Sequence, residues 1–134
     1  MSTIFDKIIS GEIPCHKVAE NDKFLAFLDV FPVQKGHVLV IPKRPIDYIF
    51  DLSNNDFCDL HLFSRMVAIG LKNAIPCKKI GVAIIGLEVP HAHIHLVPMN
   101  AVSDMDFGKK IQISQEELAQ LAIIIKPEID KVLA

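Results

Sequence analysis

Histidines at positions 91, 93 and 95 alternate with Ala92, Ile94 and Leu96. An extended strand has a side-chain period of two, so this pattern sends three imidazoles to one face and three apolar side chains to the other. A helix would scatter the same six residues around its circumference. The chain must therefore build a sheet here, packed on one face and carrying titratable rings on the other. Imidazole fills a core poorly and changes charge near neutral pH. Half of the six histidines fall within five positions, which marks the row as the chemical centre.

The rest of the chain supplies the partners such a strand needs. Residues 3–9 carry apolar side chains at 4, 5, 8 and 9, with Ser2 or Thr3 as a cap and Gly11 as a stop, which predicts a short helix. Segments 18–20, 24–29 and 36–42 read as an antiparallel meander around a turn at Asn21-Asp22. A Ser-x-x-Asp cap at Ser53 opens one long helix running to Ala74, and Pro76 ends it. Continuous apolar residues at 80–87 and the run 93–97 predict two further strands. A capping box at Ser114 opens a terminal helix, with a kink expected at Pro127. The expectation is one α+β domain over residues 1–134, an antiparallel sheet with helices mainly on one side.

Composition narrows the function classes. A net charge of -2 gives no general attraction for nucleic acid, and no basic run with interleaved aromatics is present. Apolar runs fall far short of the roughly 18 residues of a membrane span. The opening residues mix acid and base rather than forming an export signal. Cys15, Cys58 and Cys77 are odd in number and widely spaced, which fits a reducing compartment, so a cytoplasmic location is expected. A hydrophobic fraction of 51% favours a homodimer.

Three chemistries suit the histidine row. On a strand, His91 and His95 have Cα atoms roughly 13 Å apart, too far to converge on one ion unless His37 replaces one of them. The row could instead be a ladder of rings satisfied by backbone carbonyls. In the third reading the central His93 attacks phosphorus while His91 and His95 position ring and phosphate. A ring that is mostly neutral at pH 7, tied at one nitrogen, leaves the other free for attack. We adopt the third, in which no metal or other cofactor is required.

The row His91-Ala92-His93-Ile94-His95-Leu96-Val97 resembles the signature of the histidine triad (HIT) superfamily, and most closely its Hint-like branch. Residues 4–14 resemble the opening helix of that family, 24–30 its nucleotide-contacting strand and 36–43 the strand beside it. The resemblance implies a HIT-type α+β fold that dimerises through the long helix and adjoining strands. It also implies hydrolysis of a purine phosphoramidate or an aminoacyl adenylate at the α-phosphorus, through a nucleotide carried on His93. His91 and His95 would flank that nucleophile and His37 would add an imidazole near the phosphate. Asp29 would bind the ribose hydroxyls, and Phe5, Ile8, Phe27, Val30 and Leu39 would line the base cleft. A nucleotide-binding regulatory module without turnover and a metal-dependent hydrolase using His37 are the alternatives.

The departures are informative. Zinc-bearing relatives have Cys-x-x-Cys where this chain has Thr3-Ile4-Phe5-Asp6, so structural zinc is not expected. The family's glycine-rich turn with asparagine and glutamine is replaced by residues 84–90, which lack both amides, and Glu88 stands where a serine is common. A carboxylate there repels phosphate unless it is paired, binds an amine leaving group or turns away. Lys35, Lys43 and Arg44 are the cations expected to compensate.

Overall fold

The computed structural model describes residues 2–134. Helix α1 (Ile4–Ser10) is followed by strands β1 (Lys17–Glu20), β2 (Phe24–Leu28) and β3 (Val38–Pro42) and the long helix α2 (Asn54–Ala74). Strands β4 (Lys79–Ala83) and β5 (Ile94–Met99) then lead to α3 (Gln115–Leu133). The five strands form one sheet in the order β1-β2-β3-β5-β4, with every neighbouring pair antiparallel. This is the α+β architecture read from the sequence.

Local chemistry sets the helix ends. The Thr3 hydroxyl accepts the Asp6 N–H at 3.2 Å while the Asp6 carboxylate accepts the Thr3 N–H at 2.9 Å, and Gly11 closes α1 at φ +86°. Ser53 and Ser114 cap α2 and α3 in the same way, through the N–H groups of Asp56 and Glu117. Helix α3 is continuous across Pro127, whose missing N–H removes one bond to the preceding turn.

Helices α2 and α3 cover one face of the sheet, where Ala26, Leu28, Val38, Val40, Ile94 and Leu96 meet Leu60, Val67, Leu71, Leu118 and Ile125. The two helices touch backbone to backbone at Gly70, where a Cβ would stand 2.6 Å from the Ile129 Cα. The opposite face carries Leu25, Phe27, Leu39 and Ile41 and is roofed by Phe5, Ile8 and Ile9 of α1. Seven residues of helix cannot roof five strands, so part of that face stays open. Register places His95 opposite Leu39, on the α1 side, while Ile94 and Leu96 enter the other core. Among the described residues no helix is long and apolar enough to cross a membrane.

Two of the strand boundaries that differ from expectation bear on the site. β4 stops at Ala83, and Ile84, Ile85 and Leu87 are exposed, Leu87 at 89%. An apolar run reads as a buried strand only when both faces are covered, and β4 is an edge strand. β5 starts at Ile94 rather than at His93, so His91, in a bend, and His93 stand ahead of the ladder.

Candidate active site

The site forms where β3, β5 and the two loops leading into them converge. His37 stands just ahead of β3, after Gly36 at φ +88°. That glycine is required twice over, by its left-handed backbone and by Ile75 and Pro98, each 3.2 Å from where a Cβ would lie. The turn buries His37 to 1% exposure, although a histidine ahead of a strand could equally have faced solvent.

Backbone groups fix the tautomers of the rings. The Val33 N–H donates to Nδ1 of His37 at 3.1 Å, so the hydrogen of that ring resides on Nε2 and is donated to Nδ1 of His95 at 2.9 Å. His95 then carries its own hydrogen on Nε2. Nδ1–H of His93 donates to the His91 carbonyl at 2.7 Å, which leaves its Nε2 as a bare lone pair. Nε2–H of His91 donates to the Pro42 carbonyl at 2.8 Å, and its Nδ1 lies 3.6 Å from Asp6 Oδ1. No buried side-chain nitrogen or oxygen of the described residues lacks a partner. The Nε2 atoms of His93 and His95, which have no protein partner, therefore reach the cleft.

Electrostatics keeps the rings of His37, His93 and His95 neutral. Burial, with the positive charge of Lys110 and the neighbouring His93 adding to it, pushes His37 down to about 4. Burial and the flanking rings of His37 and His93 push His95 down to about 3. Burial also lowers His93, although the bond to the His91 carbonyl opposes it. Near neutral pH His93 thus presents an unprotonated nitrogen and His95 an uncharged donor.

The open part of the α1 face is a cleft of about 250 Å³. Phe5, Ile8, Phe27, Val30 and Leu39 form apolar walls, and Asp29, Glu88, His93 and His95 supply polar groups. Phe5 sits edge-on to His93 with ring centroids 5.1 Å apart. Cys15 is a further wall, its thiol pushed up by burial and so kept protonated. Asp29 accepts the Phe31 N–H with one oxygen at 2.8 Å and holds the other 3.6 Å from His37 Nε2. Two of the expected residues stand outside the walls: His37 lies behind His95, and His91 lies beneath the loop, bonded to Pro42.

Sequence reasoning missed three contributors. Val33 acts through its main chain alone and has no side-chain signature. Phe107 packs against His95 and His37 with centroids 4.7 and 6.2 Å away. Lys110 lines the cleft and lies 3.3 Å from Glu88. The pair Lys109-Lys110 was the signal available for it. The three cations expected to serve the phosphate are engaged elsewhere, Lys35 with Glu117, Lys43 with Glu20 and Arg44 with Asp56, and none lines the cleft.

Asp29, His37 and His95 bring one potential ligand atom each within 4.8 Å of one another, which raises the question of a metal. A neutral histidine that ligates through Nε2 must carry its hydrogen on Nδ1. In His37 that position accepts the Val33 N–H, so the cluster is wired as a hydrogen-bond chain. Thr3 and Asp6, which stand where the resemblance puts zinc-binding cysteines, are both engaged in capping α1.

Comparison with known proteins places the chain among relatives. A family profile described as HIT domain matches residues 10–102. The adenosine 5'-monophosphoramidase hnt1 of Schizosaccharomyces pombe is 38% identical over 133 residues, spanning 96% of this chain and 99% of that protein. Among solved structures, a hypothetical histidine triad nucleotide-binding protein from Sulfolobus tokodaii aligns with TM-score 0.85 at 27% identity, covering 96% of this chain and 93% of its own. A HIT family protein from Bacillus anthracis aligns with TM-score 0.71 at 32% identity, covering 97% and 93%.

Proposed function

Because this chain belongs to the HIT domain family, we propose that it hydrolyses purine nucleoside 5′-phosphoramidates or aminoacyl adenylates at the α-phosphorus, with residues 1–134 acting as one domain. The observation that carries the reading is His93, whose Nδ1–H is tied to the His91 carbonyl at 2.7 Å while Nε2 stands unprotonated in the cleft. The phosphoramidase activity of the fission yeast relative supports the same substrate class.

The residues divide the labour as follows. The base lies between Phe5, Ile8, Phe27 and Leu39, with Val30 at the rim, and Asp29 accepts from the ribose hydroxyls. Nε2 of His93 attacks phosphorus, the bond to the amine or carboxylate leaving group breaks, and a nucleotidyl-His93 forms. Nε2–H of His95 donates to a phosphoryl oxygen, its direction fixed by the bond from His37. Water then displaces His93, releasing the nucleoside monophosphate and restoring the ring.

Acid quench during turnover of adenosine 5′-phosphoramidate, followed by intact mass measurement, tests this step. The expected result is a nucleotide-sized increment that is lost in His93→Ala together with turnover. Full turnover by His93→Ala would overturn the reading, and AMP binding without turnover in the wild type would make the chain a nucleotide-binding module.

The assembly we infer is a homodimer. Val82 on the edge strand β4 and Leu62, Met66 and Ile69 on α2 are exposed apolar side chains on adjoining elements. An unpaired edge strand beside such side chains is the kind of surface that proteins cover by self-association.

A further inference from the structure

We propose that Lys110 receives the α-phosphate of the substrate, and that Glu88 holds this lysine over the cleft until a phosphate displaces it. The proposal rests on the nucleotide reading and deepens it, by naming the group that compensates for the missing amides of the 84–90 loop.

Charge makes such a group necessary. Among the described residues the cleft is lined by two carboxylates, Asp29 and Glu88, and by the single cation Lys110. The imidazoles add no positive charge near neutral pH, since burial lowers all three of His37, His93 and His95. An anionic phosphate entering a cleft with two carboxylates and no cation would be repelled. Lys110 is the cation within reach: it shares the cleft walls with His93 and His95, and its charge is felt at His37.

Position follows from a well-anchored segment. The Ile111 N–H donates to the Pro32 carbonyl at 2.8 Å, the Gly108 N–H to Asp106 Oδ1 at 2.9 Å and the Lys109 N–H to the Asp106 carbonyl at 3.0 Å. Phe107 packs on His95. The backbone on either side of Lys110 is therefore fixed. Its present partner is weak competition, because the side chains of Lys110 and Glu88 are 36% and 75% exposed and exposed ion pairs contribute little. A phosphate offers the same ammonium several charged acceptor oxygens, so the exchange runs toward substrate.

Calorimetric titration with AMP and with adenosine separates phosphate recognition from nucleoside recognition without relying on turnover. Lys110→Ala should weaken AMP by roughly tenfold, the factor carried by one charge-assisted hydrogen bond, and leave adenosine unchanged. Lys110→Arg should retain most of the AMP affinity. Glu88→Gln should tighten AMP severalfold and leave adenosine alone. Unchanged AMP affinity in Lys110→Ala, or equal losses for AMP and adenosine, would overturn the role of Lys110 while leaving the nucleotide site standing. A wild-type protein that binds neither ligand would overturn the nucleotide reading itself, and this proposal with it.

Discussion

Acidification should unfold this protein through its buried histidines. His37 is 1% exposed and holds its pKa at about 4, against 6.5 for an unhindered ring. Between those values the unfolded ring binds a proton and the folded ring does not, so stability rises with pH through this window and is lost as pH falls. Going from pH 6.5 down to about pH 5 removes about 1.4 kcal/mol per pH unit, hence about 2 kcal/mol from His37 alone. His95, pushed down to about 3, acts in the same direction. The assay is urea unfolding at about pH 7.5 and about pH 5 for the wild type and for His37→Gln, which cannot titrate. With a slope of roughly 2 kcal/mol per molar urea, the wild-type midpoint should fall by about 1 M more than that of the variant. Parallel midpoint shifts in the two proteins would refute the account of a neutral, buried His37.

The remaining predictions concern assembly, packing and metal independence. Met66→Glu combined with Ile69→Lys should convert a dimer to a monomer in light scattering, and an unaltered mass for the double variant would place the interface elsewhere. Gly70→Ala forces a methyl against the Ile129 backbone at 2.6 Å, so chemical denaturation should show a loss of at least about 1–3 kcal/mol, and a neutral effect would contradict the close helix contact. Hydrolysis should persist after exhaustive chelation, because the His37 hydrogen occupies the nitrogen a metal would need. Loss of activity that is restored by a divalent cation would reverse that assignment.

What could be read in advance was what depends on neighbours in sequence. The period of two at 91–96 placed Ile94 and Leu96 in one core and His95 on the other face, as the register with Leu39 bears out. Thr3, Ser53 and Ser114 announced three helices because a cap and its target lie three residues apart. The walls Phe5, Ile8, Phe27, Val30 and Leu39 and the polar groups Asp29 and Glu88 were also named beforehand, and they meet in one cleft. Contacts across long separations were not legible. Lys110 reaches Glu88 across 22 positions and His37 reaches His95 across 58, and no local pattern encodes either. The run at 80–87 misled for a related reason, since hydrophobicity alone does not say what, if anything, covers a segment.

Phe5 belongs at once to the amino-terminal helix, to the wall of the cleft and to the edge contact with the His93 ring. Docking of those first residues and occupancy by a ligand are therefore two faces of one equilibrium. A bound nucleotide should shield the start of the chain from proteases and slow its amide exchange, and trimming that start should empty the cleft before the sheet beneath it is disturbed.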